Sequence, residues 1–168
     1  MTSKILTLVF FALNIFKVQP PIELPTIIPK PVLRHEILDL ALRRIDSSAI
    51  IMIRAEKISP NKPQLKNCNL NLGITAVLKR DFDYFHLIED KYWGYFEYRG
   101  HIALVYGDSF PDCFFSYATT KKTFDFLLDS KADMANHRPV VLEPVVYIYR
   151  LINGELKMVD GGRIGFYK

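Results

Sequence analysis

Asp81, Asp83 and His86 place two carboxylates and an imidazole within six residues of one another. Such groups can ligate a divalent cation or act as the acid and base of a proton transfer. On a helix Asp83 and His86 share a face and Asp81 points away, so a metal would need further ligands from elsewhere. A solvated polar face beside Phe82 and Phe85 accounts for the same spacing, and no metal site is expected. Asp108 and Asp112 flank Ser109-Phe110-Pro111. Paired carboxylates can divide acid and base roles, but Asp is also a turn former because its side chain bonds local amides. The turn is the reading adopted for this pair.

The four histidines at positions 35, 86, 101 and 137 permit a catalytic triad only on paper. No Gly-x-Ser-x-Gly elbow precedes a helix, and neither Cys68 nor Cys113 stands in a nucleophile motif. His35 and His101 read as structural unless they share a pocket. Gly161-Gly162 leads into a strand-like segment and not a helix N-terminus, which argues against a phosphate loop and a dinucleotide cofactor. The cysteines lack CxxC spacing, so a redox dithiol or structural zinc has no support. They either close one long loop through a disulfide or remain two separate thiols.

The densest compositional feature is aromatic: Tyr92, Trp93, Tyr95, Phe96 and Tyr98. Strand alternation sends Trp93 and Tyr95 to one face and Tyr92, Phe96 and Tyr98 to the other. One face must join the core. The other, if uncovered, is a stacking surface for a sugar or a protein, with Trp93 and Tyr95 as its anchors.

These residues need elements to hold them, and the chain supplies one amphipathic helix and many strands. Val32 to Ile45 carries Leu33, Ile37, Leu40 and Ala41 at helical spacing, with charges on the other side. Ala49 to Ala55 and Leu72 to Leu78 read as strands, and Arg80 to Asp90 as a short helix. Tyr92 to Tyr98 and His101 to Tyr106 form a hairpin across Arg99-Gly100, and residues 107 to 112 a turn. Cys113 to Ala118 is a further strand, and Thr123 to Asp129 fits strand or helix. Asn153-Gly154 joins Val145 to Ile152 with Glu155 to Val159, and a closing strand over Arg163 to Tyr167 follows a Gly161-Gly162 turn. The expected fold is α+β: an N-terminal amphipathic helix packed on a curved, mostly antiparallel meander sheet, roll-like in shape.

Composition and the N-terminus set the context. Lys4 precedes an apolar run from Ile5 to Phe16, the layout of a secretory signal and too short to span a bilayer comfortably. Residues 1–17 are therefore expected to be an export signal or an N-terminal anchor, although no small-x-small cleavage pattern follows. Residues 18–31 hold five of the ten prolines and read as an extended spacer, with an arm laid on the domain surface as the alternative. Residues 32–168 form a single domain. Removing Lys4 and Lys17 lowers the 22 basic residues to 20 against 18 acidic ones, with no basic stripe, so nucleic acid is not an expected partner.

The residues are thus read as a small exported, non-catalytic binding or protein-interaction domain, periplasmic or secreted, with a membrane tether through residues 5–16 if the leader is retained. The alternative is a small-ligand carrier or enzyme with a pocket between the first helix and the sheet. Asp81, Asp83, His86, His101 and Asp108 would then supply its polar groups. No cofactor is expected.

Overall fold

A computed structural model describes residues 22–43, 49–58, 68–79, 91–124 and 145–163. They form a mostly sheet α+β fold, with eight strands in one open mixed sheet and one short helix. The strands are β1 (Ile22–Pro29), β2 (Ala49–Lys57), β3 (Leu70–Leu78), β4 (Tyr92–Tyr98), β5 (His101–Gly107), β6 (Phe115–Phe124), β7 (Val145–Ile152) and β8 (Glu155–Arg163). The helix, α1, spans His35–Leu42.

The spatial order is β6-β1-β4-β5-β2-β3-β7-β8. This is not a meander: β1 runs parallel to β4 and β2 parallel to β5, while the remaining pairings are antiparallel.

β2 lies between β5 and β3, and its AIIMI run needs no alternation because both of its faces are covered. Ile51 and Ile53 point to the helix side, where they join Leu72, Ile74, Val105 and Phe114 in the larger core. Ile50 and Met52 point the other way, to a smaller cluster with Leu104, Tyr95 and Phe124. α1 packs on β2, β3 and β7 through Ile37, Leu38 and Ala41. It is shorter than the expected Val32 to Ile45. Pro31 and Leu33 belong to a preceding turn closed by the Leu33 N–H on the Lys30 carbonyl. Leu38 takes the buried position expected of Leu40, which is only half-buried.

Both expected hairpins form. Arg99 and Gly100 have φ of 48° and 80°, and Asn153 and Gly154 have 53° and 81°, the two successive positive values of a type I′ turn. β8 runs unbroken through Gly161 to Arg163, so the expected turn at the glycine pair is absent. A bulge in β8 opposite Ile148 and Tyr149 takes up the irregularity instead. The cysteines are joined: Cys68 and Cys113, 45 positions apart, form a disulfide. The expected helix at Arg80 to Asp90 lies outside the described residues, as does most of Thr123 to Asp129.

Residues 22–29, expected as the greater part of a spacer, are an interior strand between β6 and β4. An interior strand containing Pro25 and Pro29 is unusual, since proline has no N–H to give a ladder. The local consequence of those two prolines shapes the site.

Candidate functional site

The direction of each backbone group follows from its neighbours. Lys30 donates its N–H to the Phe114 carbonyl, toward β6, so residues 24, 26 and 28 face β6 as well. Residues 25, 27 and 29 therefore face β4, and the approach of the Pro25 carbonyl to Gly94 agrees. Across the cleft, Tyr98 and His101 close a two-residue turn and bond each other, which turns the N–H and C=O of Glu97 toward β1. Ile27 is then the one donor that β1 can offer between its two prolines. The register agrees, for β1 and β4 pair only at Thr26↔Tyr95. Extending that register by one rung sets the Glu97 carbonyl opposite Pro29, which has no hydrogen to give.

Beyond that rung lies a cleft of about 530 Å³. β1 lines it with Thr26 to Pro29, and β4 with Tyr95 to Tyr98. Leu33, His35 and Leu38 close it from α1 and the turn before it. Its lining is mostly apolar. Thr26 Oγ1 donates to the Tyr95 hydroxyl at 3.1 Å, and that ring stands edge-on to Phe124 at 4.7 Å. Lys122 caps the outer rim, with Nζ 3.1 Å from Glu97 Oε1 and 5.9 Å from the Tyr95 ring centre.

The helix-side wall carries a linked polar group. The Tyr98 hydroxyl donates to Asp39 Oδ1 at 2.7 Å, and Arg99 reaches the same oxygen at 3.1 Å. The His35 ring meets the Tyr98 ring edge-on at 5.4 Å. Burial, then the hydrogen bond to Asp39 and the charge of that carboxylate, push the Tyr98 pKa from 10.0 to about 12. Folding thus favours the neutral hydroxyl. Its contribution is complete below pH 10 and is lost as the pH rises toward 12. Tyr98→Phe is expected to cost about 1–2 kcal/mol at neutral pH and to make the alkaline loss of stability shallower. Urea midpoints measured from pH 8 to 12 check this, and an unchanged alkaline slope in the variant would contradict it.

The candidate residues of the sequence do not assemble here. Tyr95 lines the cleft, but Trp93 does not share its face. A bulge at Tyr92/Gly94 inserts one residue, reversing the alternation before it. Trp93 falls on the side of Phe96 and Tyr98, and Tyr92 on the side of Tyr95. Trp93 is half-buried, donates Nε1–H to the Gly107 carbonyl at 2.9 Å, and holds Lys91 over its ring at 4.1 Å. Both faces of β4 thus enter apolar clusters, and the shared stacking face does not form. His101 Nδ1 lies 3.0 Å from the Ala49 carbonyl, outside the cleft lining. Asp108 is exposed at the far end of β5, where its carboxylate accepts from the Lys57 N–H at 3.5 Å. Asp112 is exposed in the turn. Asp81, Asp83 and His86 lie outside the described residues. Among the described residues no group of three His, Cys, Asp or Glu side chains could hold a metal ion, and no helix is long and apolar enough to cross a membrane.

Thr26, His35, Glu97 and Tyr98 stand in no motif that marks them as ligand-binding residues. The signal that could have found the site is the four-residue spacing of Pro25 and Pro29, which withholds donors from one side of a strand. Fold and cleft together define the class: an α+β protein with an eight-stranded mixed sheet and an apolar cleft at a proline-interrupted strand pair. Comparison with protein-family models, curated proteins and solved structures finds no match for this chain.

Proposed function

We propose that this is a small exported, non-catalytic binding protein, a carrier that holds a small and largely apolar ligand in the cleft between α1, β1 and β4. The observation that carries the reading is the cleft itself. Its volume of about 530 Å³ falls within the range of small-molecule sites, and its apolar walls converge on a few polar groups. Export is supported by the apolar run from Ile5 to Phe16 and is compatible with the Cys68–Cys113 disulfide.

The test uses Nile red, a neutral dye whose emission reports an apolar site, with Ile28→Lys as the variant. Ile28 lines the cleft yet is 54% exposed, so its replacement leaves folding nearly untouched while placing a charge at the mouth. Native protein is expected to bind the dye, and the variant about tenfold more weakly, or ~1.4 kcal/mol. Equal binding by both proteins, or none by the native one, would remove this assignment.

A further inference from the structure

Resting on the cleft's assignment as a ligand site, we infer that its ligand is an amphipathic amine. Such a molecule has an apolar body carrying an ammonium group, which bonds the Glu97 carbonyl left without a β1 donor by Pro29. Three independent features converge on that chemistry.

The first is hydrogen bonding. A carbonyl in a sheet is ordinarily paired, and Glu97 is exposed, so a carbonyl without a strand partner there is open to water or to a ligand. Glu97 turns its C=O toward a residue that has no N–H, at the place where the cleft opens. A ligand N–H supplies what Pro29 cannot.

The second is charge. The lining contains one carboxylate, Glu97, and no Lys or Arg. An anionic ligand would find no cation on the lining itself, whereas an ammonium finds a backbone acceptor there and shares the Glu97 carboxylate with Lys122, which pairs with it from the rim.

The third is the ring content. Tyr95 lines the cleft from one face of β4, and Phe96, Tyr98 and His35 from the other, and aromatic faces attract ammonium groups. The chain already uses this preference at the rim. Lys122 places its own ammonium against Glu97 and over the Tyr95 and Phe124 rings, at 5.9 and 5.5 Å. A ligand amine in the cleft would share Glu97 and the Tyr95 ring with it.

The experiment titrates three compounds of matched body, 2-phenylethylamine, 2-phenylethanol and phenylacetate, against ¹⁵N-labelled protein at pH 7 and low salt. The amine is expected to bind at least tenfold more tightly than the alcohol, and phenylacetate most weakly. Glu97→Gln keeps the backbone carbonyl and removes the charge, and should weaken the amine about three- to tenfold while leaving the alcohol unchanged. Pro29→Ala restores the missing N–H, lets the rung to Glu97 close, and should weaken both the amine and the alcohol, with circular dichroism confirming the fold. If the native protein binds amine and alcohol alike, the amine inference is overturned while Nile red binding still upholds the cleft. If neither the compounds nor Nile red bind, both fall. Native-like affinity in Pro29→Ala would overturn the part assigned to the proline.

Discussion

Gly107→Ala is expected to destabilise the protein by roughly 3–5 kcal/mol. Gly107 ends β5 with φ of 122°, a region that residues with a Cβ rarely enter. A Cβ built there would lie 2.2 Å from the Ala55 carbonyl oxygen and 3.0 Å from two more Ala55 backbone atoms. None of these can swing aside, because Ala55 is fully buried in β2 and pairs with Gly107 in the parallel ladder. The glycine is also a junction: its N–H goes to the Lys91 carbonyl, and its own carbonyl accepts from Trp93. Gly100→Ala is the internal control. Its φ of 80° imposes similar strain, but no atom lies within 4 Å of the added Cβ, so only about 1 kcal/mol should be lost. Urea denaturation of the two variants side by side separates strain from collision. Equal losses would show that the backbone at Ala55 yields and that collision adds nothing to the strain.

Replacing both cysteines by alanine should cost about 2–4 kcal/mol and make the native midpoint, but not that of the variant, sensitive to reductant. Cys68 and Cys113 are 45 positions apart, and a closed loop of that length removes about 4 kcal/mol of unfolded-chain entropy in the simplest treatment. The bond fastens the segment crossing from β5 to β6 to the start of β3. Phe114 and Phe115, both fully buried, enter the core immediately after Cys113. Guanidinium unfolding of oxidised, reduced and double-alanine protein should place the last two together and well below the first. A double variant within about 1 kcal/mol of the native protein would mean that packing of Phe114 and Phe115 alone holds the segment.

The cleft has a different sensitivity. On the function proposed above, changes at Pro29 or Glu97 should alter binding with little effect on stability. Changes at Gly107 or the cystine should do the reverse.

Features set by nearest neighbours along the chain were legible in the residues. Arg99-Gly100 and Asn153-Gly154 announce their hairpins because the positive φ values are demanded within the turn itself. The AIIMI run of β2 announces burial on both faces because its apolar side chains do not alternate. The stripe of Ile37 and Ala41 marks a helix, although the turn at Lys30 to Leu33 shortens it. Other features depend on partners that no local pattern names. β1 looks like a spacer because five prolines crowd residues 18–31, and only its docking between β6 and β4 makes it a strand. Trp93 and Tyr95 share a face by simple alternation until the bulge at Tyr92/Gly94, set by how β4 meets β5, separates them. The cleft opens where the β1–β4 register, continued past Thr26↔Tyr95, brings Pro29 toward Glu97, far along the chain. Turn chemistry and burial pattern are properties of adjacent residues, and these the amino-acid order dictates. Strand order, face and the opening beside Pro29 arise when distant backbones compete for the same donors, a contest decided only in the assembled sheet.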